Sequence, residues 1–424
     1  MNNIQSFKQI NFTEIEKHDD TGRNIGYSIL NNTTIVGRNH FYPNVLFHCL
    51  GYHDSHIFSP YDEKIMSFNK DSFYDNNIYT GKVCTKSEMI VYDPLFFFIY
   101  NFDNYYHFLY DTIPYLHTFF KLKQSIPHLK LLVNYPNPKK NDFYKFNLDL
   151  LQKFISREDI FIHQYENHYK TIYISTSLTH GGLSNLPPRK EIFYLYQIDI
   201  PREIGFQYDC IYISRRTWIN SDTSNIGTNY TTRRKMMNED SLVEQLSSLG
   251  IQEIFSENLS IDEKIHLFRN AKLIIGSIGG GMSNLLFSLE TTQSIVIVTP
   301  EFLEINYRFK YSMEHTDISY FYNVETYKEN NEIPLFTRVE VNDINTICIG
   351  EIVEYNEEKN QYLVNLSNND VAGFNNDLSF KQRYFSREQM KLLDKGLNSP
   401  FIIDCNKLIK LVKNKIYNTI YNDI

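Results

Sequence analysis

Between residues 210 and 298 the chain repeats one pattern: a short apolar run, a turn, a helical segment with start and stop signals, then the next apolar run. The runs at 210–213, 252–255, 273–275 and 294–298 have strand length and strand character. Asn238 stands where a helix cap is wanted, with Glu239 and Asp240 in the first turn, where the helix dipole favours carboxylates. Gly250 can end that helix, and Ser260 with Glu263 has capping-box spacing for the helix running to Ala271. A helix over 282–289 completes the series. Such a repeat packs best as parallel strands in one sheet with helices on its faces, a Rossmann-type layer. No other part of the chain is so tightly constrained.

Upstream, strand-like runs at 90–92, 96–100, 131–133, 160–163 and 171–175 alternate with helical patterns over 105–122 and 143–155. This predicts a second α/β layer with parallel strands. Residues 1–80 are polar, turn-rich and only weakly periodic. The passage HGGLSNLPPRKE at 180–191, followed by Pro201, reads as a linker. After 331 a hairpin over 351–355 and 361–366 precedes helical patterns at 386–393 and 404–420. The last carries Ile409, Val412, Ile416 and Ile420 on one side, a stripe expected to pack back on the first domain. The division expected is therefore 1–200, 205–330 and 331–424, at a length of 424 residues that suits two domains with an appendage.

Several function classes are excluded by composition. Net charge is −8 with no long basic run outside the C-terminus, so nucleic acid is not an expected partner. The 5 cysteines are scattered and never spaced as CxxC, which argues for a reducing compartment and against a zinc or disulfide framework. The first 20 residues hold no apolar core of a signal peptide, and the strongest apolar run, 95–100, falls far short of the ~20 residues a transmembrane helix takes. A cytoplasmic location is the expectation. The 32 Tyr and 31 Phe, with abundant Asn, Ile and Lys, are what AT-rich coding produces, as in large viruses or protists. A lone aromatic therefore carries little argument.

Three constellations carry chemistry. In YISRRTWINSDTSNIGTNYTTRRKMMNED, at 212–240, Arg215 and Arg216 lie just past the carboxyl end of a strand, where open α/β sheets bind ligands, and Arg233 and Arg234 precede a helix start. Guanidinium groups grip a diphosphate bidentately and stay charged in any surroundings, though a solvated basic loop has the same composition. In LIIGSIGGGMSNLLF, at 273–287, a strand enters Gly276 and then Gly279, Gly280 and Gly281 before a helix opens. Backbone N–H groups in such a turn can approach a phosphate, with Ser283 and Asn284 as side-chain donors. Glycines there also serve close helix–strand packing. In NFDNYYHFLYDTIPYL, at 101–116, Asn104, His107 and Asp111 share one helix face. A histidine and an aspartate four apart can pair as a general base, and a capping Asn with a satisfied core histidine looks the same. The sequence has no Asp-x-Asp carboxylate clamp for a metal–diphosphate complex and no metal-ligand spacing.

In this order and spacing the three segments resemble glycosyltransferase family 61, the family of the EGF-domain O-GlcNAc transferase, the O-mannose GlcNAc transferase and the plant xylan transferases. Asn104, His107 and Asp111 match its N-x-x-H-x-x-x-D segment. Ser214, Arg215, Arg234, Asn238 and Glu239 match its arginine segment; Gly276, Gly279, Gly281 and Asn284 match its glycine turn, with Pro300 and Asn306 in the tail. The family's histidine in that turn falls on Ile278 here and its alanine on Gly280, a departure that bears on donor identity and on activity.

The resemblance implies a GT-B fold, two Rossmann-like domains facing across a cleft, here with a small α+β appendage at the C-terminus. It also implies inverting transfer of a sugar from a nucleotide-sugar, a UDP-sugar first of all, to a hydroxyl of a glycan or protein. No cofactor and no essential metal are implied. His107 or Asp111 would take the acceptor proton. Ser214, Arg215, Arg216, Arg234, Asn238, Glu239, Gly279, Gly280, Gly281, Ser283 and Asn284 would hold the donor and its diphosphate. The alternative is a degenerate relative that binds glycan or a partner without turnover.

Overall fold

A computed structural model describes residues 5–9, 12–16, 23–36, 40–42, 45–47, 50–53, 56–59, 64–67, 89–100, 104–133, 145–163, 167–179, 187–199, 207–216, 235–299, 302, 307–326, 338–343, 346–356, 358–367, 381–392 and 400–421. The chain divides into two compact units, Met1–Asp199 and Ile200–Ile424.

The first unit is built on an 11-stranded sheet. One part is the expected α/β layer. Strands Leu95–Phe97, Lys130–Val133 and Ile160–Ile162 run parallel, Leu95 opposite Lys130 and Leu131 opposite Ile160. Helices Leu116–Ser125 and Lys145–Phe154 make the crossovers. Strand Asn167–Ser175 lies parallel on the other side of Leu95–Phe97, but its far edge pairs antiparallel with Ile25–Val36, Thr171 opposite Asn31. Leu50–His53, His56–Ser59, Lys64–Ser67 and Gln5–Gln9 continue the sheet antiparallel. The parallel strands expected between 90 and 175 are thus joined by antiparallel strands from the turn-rich first 80 residues, to which the sequence pattern assigned no strands. A hairpin strand finds its partner a few residues away, so runs as short as Lys64–Ser67 suffice, and four residues are too few to register as a period.

The helical segment expected over 105–122 is present but not uniform. Tyr105–His107 is α, Phe108–Thr112 is a π turn, Ile113–Tyr115 is 3-10, and Leu116–Ser125 is α again. The cause is Pro114, which has no N–H to give the carbonyl four residues back, so the ladder widens before it and tightens across it. Phe96, Leu109, Leu116, Phe119 and Leu132 are fully buried in this layer, with Phe119 edge-on to Phe96 at 5.7 Å.

In the second unit the expected parallel layer is present. Cys210–Ile213 lies between Gln252–Ile254 and Leu273–Ser277, followed by Gln293–Ile297 and Asp317–Phe321. The capping box closes, Ser260 N donating to Glu263 Oε2 at 2.7 Å and Glu263 N to Ser260 Oγ at 3.2 Å. Gly250, at φ 76, takes the left-handed position after helix Glu239–Ser247.

Residues 338–392 form a separate five-stranded antiparallel meander in which Met390–Leu392 returns to Arg338–Asp343. Its own core includes Val341, Ile352, Val364 and Phe385. The expected hairpin is there, as Thr346–Asn356 with Gln361–Ser367. The helix expected over 386–393 is not. Ser386 and Gln389 form a capping box that starts one 3-10 turn, Arg387–Gln389, after which Met390 is drawn into the sheet opposite Val341. Tertiary pairing overrides the local start signal.

Helix Cys405–Tyr421 matches the last helical pattern, but its apolar stripe is used within the second unit. Leu408 and Val412 are fully buried in one cluster with Tyr212, Met236, Leu242, Leu246 and Phe401, each such side chain contributing roughly 1.5–3 kcal/mol. Periodicity says that a face is buried, not what covers it, so the expectation that this stripe packs back on the first domain is corrected. Among the described residues no helix is long and apolar enough to cross a membrane.

Candidate functional site

Each unit carries one constellation, and each is described by itself. In the first unit the site opens beyond the carboxyl end of strand Leu95–Phe97. Asn104 caps the helical run, its Oδ1 accepting from His107 N at 3.2 Å. One turn on, His107 Nδ1 meets Asp111 Oδ2 at 2.6 Å. The two are not equally accessible: the His107 side chain is 19 % exposed and Asp111 is 0 %. The Tyr106 ring stands edge-on to the imidazole at 5.3 Å. Tyr196 donates to the carbonyl of Leu109 inside the π turn, and burial, reinforced by Tyr110 and Asp111, pushes its phenol well above the usual range. A carboxylate on Nδ1 fixes the tautomer that leaves Nε2 as the basic nitrogen. Of the two candidate bases, only His107 has a partly exposed side chain.

In the second unit Ser214 and Arg215 follow the carboxyl end of Cys210–Ile213. The buried carboxylate of Glu239 gathers the loop: its Oε1 accepts from Arg215 N at 2.8 Å, Tyr212 Oη at 2.8 Å and Ser214 Oγ at 3.3 Å. Burial raises the Glu239 pKa and these donors oppose the rise. Glu239 thus lies beneath the loop as its support, whereas the sequence placed it among the donor ligands. The Arg215 guanidinium reaches the glycine turn, Nη1 donating to Ile278 O at 3.2 Å. Burial lowers its pKa against the pull of Glu239, Tyr212 and Glu257, and a guanidinium stays charged throughout.

Arg216 has another task. Its guanidinium forks onto Glu253, Nε to Oε1 at 2.9 Å and Nη2 to Oε2 at 2.5 Å, and Nη1 meets Asp240 at 2.8 Å. Its charge is already matched by two carboxylates, which sets it apart from Arg215 as a diphosphate ligand. Asn238, expected as a cap and donor ligand, does not cap with its side chain; it holds the main chain of Ile403, Nδ2 to O at 2.8 Å and N to Oδ1 at 3.2 Å. Arg233, Arg234, Pro300 and Asn306 lie outside the described residues.

The glycine turn leaves strand Leu273–Ser277 and enters a 3-10 helix, Gly280–Phe287, where an α-helix from 282 was expected. Ser283 Oγ donates to Gly280 O at 2.5 Å and Asn284 Nδ2 to Gly281 O at 2.9 Å, each closing three residues back, which suits the tighter helix. Both side chains are buried and bonded within the turn, so the donors left for a ligand are backbone: a 3-10 helix has no internal partner for its first N–H groups, here those of Gly280 and Gly281. The glycines divide by role. A Cβ at Gly276 would meet Met282 Sδ at 2.5 Å and one at Gly281 would meet Ile213 Cγ2 at 2.9 Å, while one at Gly280 meets nothing within 4 Å. Two glycines serve packing; Gly280 faces open space.

Residues 105–296, a little under half of the chain, match the family model for glycosyltransferase 61. Over that stretch the chain is similar to glycosyltransferase family 61. The match begins at the helical run of His107 and Asp111 and ends in the strand after the glycine turn, so it takes in both constellations apart from Asn104, one residue before its start. Enzymes of that family move a sugar from a donor to an acceptor. No curated protein matches the chain. Ile278, where the family resemblance puts a histidine, is fully buried; its N–H donates to Ile297 O at 2.9 Å and its carbonyl receives Arg215. The grip of Arg215 on the turn uses backbone and does not depend on the side chain at 278.

Among the described residues no three His, Cys, Asp or Glu side chains gather as metal ligands. Sequence reading missed Tyr212 and Glu253 as partners. Their signal was present in the sheet order: Tyr212 and Glu253 are opposite one another on neighbouring strands, a register no single sequence displays.

Proposed function

We propose that the chain is an inverting glycosyltransferase that takes its sugar from a nucleotide diphosphate, UDP first of all, and passes it to a hydroxyl of a glycan or protein. In this reading the fold is GT-B and no metal is essential. The observation that carries it is Arg215, whose backbone is fixed by a buried carboxylate while its guanidinium bonds to the glycine turn at the carboxyl edge of a parallel sheet. A cation and two backbone N–H groups at such an edge suit a diphosphate. In the sugar-transfer step His107 Nε2 takes the acceptor proton as the acceptor oxygen forms its bond to the anomeric carbon. The bond from that carbon to the diphosphate breaks, and Arg215 with the amides of Gly280 and Gly281 meets the charge that leaves. Asp111 acts as the positioning residue for His107. Support for metal independence is the lack of Asp-x-Asp in the sequence together with this guanidinium.

The test is a transfer and hydrolysis screen of the full chain against UDP-, GDP- and dTDP-sugars. Turnover with one donor, lost in a folded Arg215→Ala chain, is expected; undiminished turnover in that variant overturns the assignment. A second reading, a binding protein without turnover, is favoured by Ile278 at the position of the family's histidine. It expects no turnover with any of the three donors.

A further inference from the structure

We infer that the C-terminal segment Phe401–Tyr421, which lies beyond the family-matched stretch, is a working part of the donor site, and that Asn238 is the positioning residue through which it holds Arg215. The inference rests on the reading of Arg215 as a diphosphate ligand.

A continuous run of hydrogen bonds joins the two. Phe401 N donates to Lys235 O at 2.9 Å and Met237 N to Phe401 O at 2.8 Å, so the segment is stitched to the backbone just before helix Glu239–Ser247. Asn238 then reads the main chain of Ile403 in both directions, and its Nδ2 also lies 3.4 Å from Cys405 Sγ. The next residue, Glu239, carries the contact into the site by fixing Arg215 N, Ser214 Oγ and Tyr212 Oη. Arg215 closes the run on Ile278 O. Beneath it Phe401, Leu408 and Val412 share one buried cluster with Tyr212 and Met236.

The choice made by Asn238 is what sets this apart from ordinary packing. Asparagine at a helix N-cap ordinarily stabilises the helix by accepting from an N–H of its first turn. Here the side chain occupies the cap position and bonds to Ile403 instead. The helix start, and Glu239 with it, is thereby located by residues more than 160 positions away in sequence. Loosening that link lets Glu239 shift, and with it the backbone of Arg215.

The experiment uses the full chain and UDP as probe, by calorimetry, with hydrogen exchange of the Arg215 amide read in the unliganded protein. Asn238→Ala removes both bonds to Ile403. Asn238→Asp keeps the acceptor but sets a carboxylate oxygen against the Ile403 carbonyl. Both are expected to weaken UDP binding by about tenfold or more and to speed exchange at Arg215. A purely structural role would lower the unfolding midpoint and leave the affinity of the folded protein and the Arg215 exchange unchanged; that result overturns the inference. If the parent chain binds none of UDP, GDP and dTDP, the diphosphate reading fails, and the Arg215 exchange alone decides whether the segment positions this residue. If the variants do not fold, native-state exchange in the parent decides: Ile403 and Arg215 amides opening as one unit supports the link, and Ile403 opening first with Arg215 still protected refutes it.

Discussion

The two constellations are built on different principles. In the first unit His107 and Asp111 sit four residues apart on one helical run, and the pair forms from local geometry alone. In the second, Arg215 is fixed by Glu239, 24 residues on, reaches Ile278, 63 residues on, and depends on Asn238, whose own partner Ile403 is 165 residues further. The first site puts an ionisable side chain forward from a short helical platform. The second puts forward backbone amides and one permanent cation, and buries its carboxylate underneath. A proton-transfer group needs one well-oriented nitrogen, which a neighbour on the same turn can supply. A surface for a polyanion needs several strand ends brought into register, which only a folded sheet supplies.

The sharpest way to break this comparison is by kinetics. Asp111→Asn should lower kcat by ~10²–10⁴-fold, because the imidazole loses the carboxylate that fixes its tautomer, with UDP affinity unchanged. Arg215→Ala should lower kcat by ~10²–10³-fold and weaken UDP as well. Steady-state kinetics with calorimetry on both variants checks the split, and equal effects on UDP affinity would erase the distinction.

A smaller effect distinguishes the units under acid. His163 in the first unit is driven down to about 3 by burial, its Nδ1 against Tyr169 Oη at 2.6 Å. His315 in the second is driven down to about 4 by burial. Both folded-state values lie below the ordinary 6.5, so unfolding takes up protons. The stability they confer is complete above that value and drains as pH falls, until about pH 4 for His315 and about pH 3 for His163. By pH 4.5 each should have cost roughly 3 kcal/mol. Urea unfolding across this range checks it, and His163→Phe should flatten the loss from the first unit.

The smallest effect separates packing from recognition within the glycine turn. Gly281→Ala must push Cβ against Ile213 and should cost about 1–3 kcal/mol of stability. Gly280→Ala meets nothing within 4 Å and should leave the unfolding midpoint almost unchanged while weakening UDP. Thermal unfolding with UDP titration reads both, and a Gly280→Ala chain that binds UDP normally would remove that residue from the site.

Sequence alone determined the parallel layer of the second unit, because strand-length apolar runs, the Ser260–Glu263 box and Gly250 are each local signals that point the same way. It also determined the His107–Asp111 pair, since residues four apart on a helical turn meet whatever the rest of the chain does. Tertiary structure decided the rest. It gave the turn-rich N-terminus a half-sheet and turned the expected 386–393 helix into a strand beside Val341. It matched Arg216 to Glu253 and Asp240, tied Asn238 to Ile403, and left Arg215 facing the turn. The reason is common to all of them. A side chain's partner is set by which strands and helices come to lie side by side, and that depends on contacts between residues tens to hundreds of positions apart, which leave no period and no spacing in one sequence.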